Sequence, residues 1–167
     1  VLYSSLGYDS MIVAFGMSLI GFVLVLGKCV YGVITDRIGG YRANYLFLCP
    51  LILGFVLCCI SSGKTWTLYA AQTCLGIGMC VCTVGLPVWA GDLTDPETHA
   101  RTVQRFQTAY SIGALVFSPV PGMAADRFGS YLSSYGVFTV QSAVILVILQ
   151  LAYRKAGQYR RVSPKSD

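Results

Sequence analysis

The sequence contains 167 residues, of which 55% are hydrophobic and 11% are charged, and its formal net charge is +5. A soluble domain carries about 25% charged residues, so this chain has too few charges to cover a surface that faces water. The composition excludes an ordinary soluble domain and favours an integral membrane protein. The positive charge does not indicate nucleic-acid binding, because the basic residues lie at the edges of apolar runs.

Five apolar runs approach the length of about 20 residues with which a helix crosses about 30 Å of hydrocarbon. We predict an all-α integral membrane fold with five transmembrane helices, of which the second is the shortest. Their bounds are Ser10–Ile34, Ala43–Ile60, Trp66–Ala90, Val103–Met123 and Tyr131–Tyr153. The polar residues 154–167 are expected to form a tail. Because the chain begins at Val1 and has an odd number of spans, we expect a fragment of a longer protein.

The first predicted helix contains Lys28, the one charged residue that lies away from the ends of the predicted spans. Lys28 lies six residues before Ile34, or about 9 Å from the end of that helix. Charges inside a membrane are rare and often mark an ion or substrate pathway, and a lysine would attract an anion or exchange a proton. The alternative is that the long side chain carries its ammonium group to the membrane surface.

The second and third predicted helices differ in polarity. Residues 45–60 have no polar side chain other than cysteine, so we expect this helix to face lipid. The third helix carries a stripe of small and polar residues that includes Tyr69 and Gln72. Because a polar residue that faces lipid is costly, such a stripe indicates a protein interior or a watery cavity. The segment from Asp92 to Glu97 is expected to be a solvated turn, or to cap the next helix through Asp92 or Asp95.

The fourth predicted helix carries the longest polar face. Gln104, Gln107, Thr108 and Ser111 recur at spacings of three and four residues, which places them on one side of a helix. We take Lys28, Tyr69, Gln72, Gln107, Thr108 and Ser111 as the candidate substrate-binding residues. The alternative is that the polar stripes only join helices to one another.

All seven cysteines lie in apolar runs, and no pair has the spacing of a zinc site. We expect them to be small buried residues at helix contacts, with no metal and no cofactor. Their positions are Cys29, Cys49, Cys58, Cys59, Cys74, Cys80 and Cys82.

The basic residues predict an orientation, because cytoplasmic loops of membrane proteins accumulate Lys and Arg. If successive loops alternate between the two sides, one side holds only Lys64 and Arg127. The other side holds Arg37, Arg42, Arg101, Arg105, Arg154, Lys155, Arg160, Arg161 and Lys165. We therefore predict that the C-terminal tail is cytoplasmic.

A signature follows the first predicted helix. Residues 32–42 read GVITDRIGGYR, with a G-x-x-x-D-R-x-G core. This segment resembles the loop signature of the major facilitator superfamily, in which a weaker copy joins the eighth and ninth helices. The resemblance implies that the five spans are helices eight to twelve of a twelve-helix transporter. It also implies that a cytoplasmic gating loop forms from Gly32, Asp36, Arg37, Gly39 and Arg42, against the missing N-terminal half.

Two further segments resemble the monocarboxylate-porter and oxalate/formate-antiporter branch of that superfamily. They are the acidic segment at 92–97 and the P-x-x-G and D-x-x-G-S-Y patterns within 119–131. In that branch a basic residue four positions before the signature glycine binds carboxylates, and Lys28 occupies this place relative to Gly32. Arg is the commoner residue there, and a lysine gives a point charge rather than a bidentate contact.

The resemblance implies a multi-pass transporter of the plasma membrane that carries a small solute across the lipid bilayer by alternating access. A monocarboxylate or other organic anion, with proton coupling, is the leading substrate class. The alternatives are a facilitator for neutral or cationic solutes and a membrane module that does not transport. We expect no enzyme, because the single histidine, His99, lies in a loop and no predicted span holds an acid or base for catalysis.

Overall fold

A computed structural model describes residues 8–60, 64–129 and 132–162, with side chains as far as residue 156. Within this part of the chain the secondary structure is helical throughout, which confirms the predicted all-α fold class. The helices are α1 (Ser10–Ile38), α2 (Gly40–Ile60), α3 (Thr65–Leu93), α4 (His99–Phe117), α5 (Val120–Phe128) and α6 (Leu132–Val162).

Four of these helices are long and apolar enough to cross a membrane, judged by length and composition. They are α1, α2, α3 and the Leu132–Ala156 part of α6. Large apolar side chains cover their outer surfaces, and Phe22 of α1 and Leu151 of α6 are more than half exposed. Exposed apolar surface on this scale is typical of a face that contacts lipid.

The fourth predicted span is not one continuous helix. The sequence predicts a helix over Val103–Met123, whereas the structure has α4 and α5 joined by a turn at Ser118 and Pro119. Pro119 and Pro121 lack the backbone N–H groups that would continue the hydrogen-bond ladder of α4. Both lie at the start of α5, where backbone N–H groups have no partner within the helix anyway.

The central helix of the bundle is α3. It packs against α1 and α2, while α6 packs against α2, α4 lies against α3 and α5 lies against α6. The main core cluster joins α1, α2 and α3 and includes buried Tyr31, Phe47 and Val81. The architecture is therefore a row of packed helices in which α3 is covered on two sides.

Two glycines bring the backbone of α3 close to its neighbours. A Cβ atom at Gly76 would lie 2.9 Å from the Cβ atom of Val23 in α1, and a Cβ atom at Gly78 would overlap Leu51 in α2. Residues two apart in a helix point about 200° away from each other, so the two glycines serve opposite faces. Small residues at such contacts let membrane helices approach closely, which explains the central position of α3.

The prediction that the second helix faces lipid holds for only one of its sides. Leu46, Leu53 and Ile60 are more than half exposed, but α2 also buries a face against its neighbours. The buried residues are Gly40, Ala43, Asn44, Phe47, Leu48, Leu51, Gly54 and Cys58. Because the helix is apolar all round, its sequence pattern could not show which side packs against protein.

The seven cysteines differ in exposure, and Cys59, Cys74 and Cys82 are partly buried. Cys58 and Cys80 are buried as predicted, whereas Cys29 and Cys49 are exposed, which corrects the expectation for these two. An exposed cysteine on an apolar outer surface behaves as a small apolar residue.

The close contact at Gly78 can be tested with a pair of matched substitutions. Gly78→Ala inserts a methyl group into Leu51, and we expect it to lower the free energy of unfolding by about 1–3 kcal/mol, the usual effect of overpacking. Gly21→Ala makes the same change on α1 where a Cβ atom meets nothing within 4 Å. It should leave stability unchanged or raise it, because alanine favours helix over glycine.

The measurement is unfolding of each purified variant in detergent, followed by circular dichroism during an SDS titration. Equal stability of the two variants would contradict the close α2–α3 contact.

Candidate functional site

Side-chain contacts divide the helix ends into two groups. The Tyr8 hydroxyl donates to the carbonyl of Lys64 at 3.1 Å, which brings the start of α1 beside the start of α3. Far along the chain, the Tyr153 hydroxyl donates to the Asp92 carboxylate at 2.7 Å, which joins α6 to the end of α3. We call this second end, where α1 also meets α2, the basic end. The exposed cations near this end include Arg37, Arg42, Arg101, Arg105, Arg154 and Lys155.

Lys28 is half-buried on α1, next to the face of that helix that packs on α3. The neighbouring Gly27 contacts α3, since a Cβ atom there would lie 3.5 Å from the Sγ atom of Cys80. Among residues 8–60, 64–129 and 132–156, the Lys28 ammonium has no hydrogen-bond or ion-pair partner. The structure thus places a positive charge at the edge of a helix contact without a protein counter-charge in the described chain.

Lys28 lies farther from the end of its helix than the sequence predicted, because α1 continues past Ile34 to Ile38. Lys28 lies eight residues before Asp36, the next charged residue of α1, which is about 12 Å along the helix axis. A four-carbon side chain covers only part of that distance, so extension of the side chain alone would leave the ammonium short of Asp36.

Gln72 is enclosed rather than open to a cavity. Its side chain is 0% exposed, and neither atom of its amide group has a hydrogen-bond partner among the described residues. A Cβ atom at Gly16 would lie 3.0 Å from its Nε2 atom, so the amide group is pressed against the backbone of α1. A buried amide group without a hydrogen-bond partner destabilises the structure. A different packing of α1 and α3, in which the amide group of Gln72 gained a partner, would remove this cost.

Tyr69 lies one turn before Gln72 on α3 and is half-buried. Its ring meets the ring of Phe15 in α1 edge to face, with a centroid distance of 5.6 Å. Tyr69 and Gln72 therefore both face α1, but they contact it at Phe15 and Gly16, about 18 Å along the helix axis from Lys28.

The three candidates on α4 lie on an exposed face. Gln107, Thr108 and Ser111 are all exposed, and α4 has no buried residue. The Thr108 hydroxyl donates to the carbonyl of Gln104 and the Ser111 hydroxyl to that of Gln107, each at 2.9 Å. Because α4 packs on α3 rather than on α1, the structure leaves this polar face separate from Lys28.

The signature segment forms a corner of one residue rather than an extended loop. Gly39 alone separates α1 from α2; its φ angle is 82°, and its N–H donates to the carbonyl of Thr35 at 2.9 Å. That positive φ favours glycine over any residue with a side chain. Asp36, Arg37 and Arg42 are exposed around the corner, while Gly32 lies within α1.

Sequence reasoning missed a buried polar cluster just inside the basic end. The Oδ1 atom of Asn44 accepts hydrogen bonds from the Tyr31 hydroxyl at 2.8 Å and from the Trp89 Nε1–H at 3.0 Å. Asn44 is 2% exposed and Tyr31 is 0% exposed. One amide oxygen therefore joins α1, α2 and α3.

A second part of this cluster joins α3 to α6 through the Asp92–Tyr153 hydrogen bond. Asp92 was expected in a solvated turn or as a helix cap, but it lies in the last turn of α3, and Thr98 is the N-cap residue of α4. A Cβ atom at Gly40 would overlap Asp92 and lie 3.0 Å from the Tyr153 hydroxyl oxygen. Gly40, which directly follows the signature core, thus makes room for this hydrogen bond.

The contribution of the Asp92–Tyr153 hydrogen bond to stability can be measured with Tyr153→Phe. This variant keeps the ring, which packs 5.5 Å from that of Tyr41, and removes only the donor. We expect it to lower the free energy of unfolding by about 1.5–3 kcal/mol, as for hydrogen bonds to charged groups. Tyr45→Phe, whose hydroxyl meets that of Tyr41 in an exposed contact at 3.3 Å, is the control and should cost less. A larger loss in Tyr45→Phe would contradict the assignment.

Comparison with known proteins gives a family. The family model described as Major Facilitator Superfamily matches residues 1–166. The Agnestins efflux protein AgnL12 of Paecilomyces divaricatus is 30% identical over 147 residues, which cover 87% of this chain and 32% of that protein. Monocarboxylate transporter 12 of Mus musculus is 23% identical over 158 residues, or 90% of this chain and 32% of that protein.

Monocarboxylate transporter 12 of Homo sapiens is 23% identical over 172 residues, which cover 98% of this chain and 33% of that protein. No solved structure gives a significant match. This chain spans about a third of the length of the curated relatives it matches. Because the family match covers almost the whole chain, this integral multi-pass membrane protein belongs to the major facilitator superfamily of transporters and not to a class of enzymes.

Proposed function

We propose that the full-length protein is an alternating-access transporter whose substrate is a monocarboxylate or another organic anion. The observation that carries this proposal is the half-buried Lys28 on a membrane helix, without a partner among the described residues. A lysine near the centre of a membrane helix costs about 2.5–3.5 kcal/mol on insertion scales. An anionic substrate would offset that cost whenever it is bound.

The surroundings of Lys28 support binding of a small carboxylate. An ammonium group acts as a compact point charge with three donors, so it holds a carboxylate without the planar fit that an arginine imposes. Tyr69 and Gln72 contact α1 at Phe15 and Gly16, about 18 Å along the helix axis from Lys28, so they would bind a substrate at another point of the pathway. We propose that Gln72 gains a hydrogen-bond partner when α1 moves relative to α3 during transport.

The exposed polar face of α4 supports a second part of the proposal. Gln107, Thr108 and Ser111 lie on a helix with no buried residue, which is a costly arrangement if the face met lipid. We propose that the N-terminal half of the transporter covers this face across a watery pathway. Asp36 and Arg37, exposed at the corner between α1 and α2, would contact that half when the pathway closes.

The charge distribution supports an orientation with the basic end, and hence the C-terminus, in the cytoplasm. We propose the plasma membrane as the location of the protein. Two of the relatives reported above are named monocarboxylate transporter 12, and they align with 90% or more of this chain. We propose that transport is coupled to a proton, as the resemblance of the sequence to the monocarboxylate-porter branch implies.

A second candidate is outward transport of a neutral or cationic organic molecule. It is favoured by the relative with 30% identity, which is named as an efflux protein for agnestins. The polar groups of the α4 face are uncharged, so they would bind such a solute through hydrogen bonds. In this case Lys28 would not touch the substrate.

The experiment is uptake of a labelled monocarboxylate panel into proteoliposomes that contain the full-length protein. We expect Lys28→Gln to lower kcat/KM by about 10-fold or more, because it removes a charge-assisted hydrogen bond. Lys28→Arg should retain part of the uptake, since it keeps the positive charge. Lys64→Gln removes an exposed lysine at the opposite end and should leave uptake unchanged.

Saturable uptake that is lost only in Lys28→Gln, with the variant still folded, would support the anion site. Equal uptake by the native protein and Lys28→Gln would show that Lys28 does not bind the substrate. Absence of uptake for the whole panel, together with export of a neutral or cationic compound, would favour the second candidate.

A further inference from the structure

The last helix, α6, is longer than a membrane span and extends past its neighbours at the basic end. Its 31 residues correspond to about 46 Å, whereas the hydrocarbon core of a bilayer is about 30 Å thick. Tyr153 donates to Asp92 in the last turn of α3, and its ring lies 5.5 Å from that of Tyr41 at the start of α2. Residues 154–162, which we call the projecting segment, therefore extend about 14 Å past the level at which α2 begins and α3 ends.

Three tyrosines mark the level at which these helices leave the hydrocarbon. The rings of Tyr41 and Tyr45 lie 5.2 Å apart, and Tyr153 completes the group. Tyrosine is enriched at the membrane–water interface, because its ring is apolar and its hydroxyl group is polar. The apolar Leu151 is more than half exposed just before this level, and charged residues follow it. The projecting segment therefore begins at the level of the lipid headgroups.

The projecting segment is strongly basic. It contains Arg154, Lys155, Arg160 and Arg161, and the sequence has no acidic residue in the range 127–166. Arg154 and Lys155 are exposed directly after the tyrosines. Arg160 lies about 9 Å farther along the helix axis than Arg154, which is comparable with the Debye length of about 8–10 Å in physiological salt. The first pair of cations thus lies at the membrane surface, and the second pair lies where the surface potential has already weakened.

We propose that the projecting segment binds anionic phospholipids of the leaflet at the basic end. A run of four cations directly after a membrane helix has the charge that attracts phosphatidylserine and phosphatidylinositol headgroups. A soluble acidic protein is the other partner with complementary charge. The place of Arg154 and Lys155 beside the tyrosines favours the lipid, because a soluble partner would reach Arg160 and Arg161 more readily. This inference does not depend on which solute the protein transports.

The test uses the full-length protein in nanodiscs made from a mixture of phosphatidylserine and phosphatidylcholine, with retained lipids identified by native mass spectrometry. The native protein should retain phosphatidylserine in preference to phosphatidylcholine. Each basic residue near a membrane surface increases binding of anionic lipid about fivefold, so Arg154→Gln with Lys155→Gln should lower this retention by about 25-fold. Arg160→Gln with Arg161→Gln should lower it less, because these residues lie farther from the surface.

Two further variants separate binding at the projecting segment from general attraction to the bilayer. Lys64→Gln with Arg127→Gln removes the same charge from exposed residues at the opposite end of the helices and should leave the retention unchanged. Arg154→Lys keeps the charge and should also retain phosphatidylserine.

Equal retention of phosphatidylserine by the native protein and by the Arg154→Gln, Lys155→Gln variant would overturn the proposal. An equal loss in the Lys64→Gln, Arg127→Gln variant, or no preference between the two lipids in the native protein, would overturn it as well. A larger loss in the Arg160→Gln, Arg161→Gln variant than in the Arg154→Gln, Lys155→Gln variant would also contradict it and would favour a soluble acidic partner.

Discussion

The close contact of α3 with α1 and α2 is the constraint on which the rest of the structure depends. Lipid is as apolar as leucine, so membrane helices gain little from burial alone and associate through close packing. Gly76 and Gly78 provide that packing on opposite faces of α3. Once α1 is held against α3, Lys28 lies at the edge of their contact, and Gln72 lies within it. The candidate substrate site follows from helix packing more than from any local motif.

At the basic end, side-chain hydrogen bonds join the helices in addition to the glycine contacts. Asn44 accepts from Tyr31 and Trp89, and Asp92 accepts from Tyr153, so four helices are joined within a few turns of one another. Hydrogen bonds between membrane helices contribute about 0.6 kcal/mol on average, so the bonds to Asn44 select a register more than they drive association. The bond to the charged Asp92 carboxylate contributes more.

Much of the fold could be predicted from the sequence, because the length and hydropathy of each span can be read from its own residues. The G-x-x-x-D-R-x-G core indicated the family. The break at Pro119 could not be placed, since prolines are often tolerated inside membrane helices. The Asp92–Tyr153 contact joins residues 61 positions apart, and only the packed helices show it. Burial of Gln72 was hidden for the same reason, because a polar stripe looks alike whether it faces a cavity or another helix. Lys28 and the α4 residues remain predictions as binding groups.

The most direct test of this account is a cross-link between α1 and α3 beside Lys28. A Cβ atom at position 27 would lie 3.6 Å from that of Cys80, within the range of about 3.5–4.5 Å that a disulfide needs. Gly27→Cys, in the full-length protein with every native cysteine other than Cys80 replaced by alanine, should form a disulfide with Cys80 under mild oxidation, detected by mass spectrometry of the digested protein. Gly113→Cys in the same background, whose position meets nothing within 4 Å, should not. Absence of the 27–80 disulfide in folded protein would contradict the α1–α3 contact and the placement of Lys28 that rests on it.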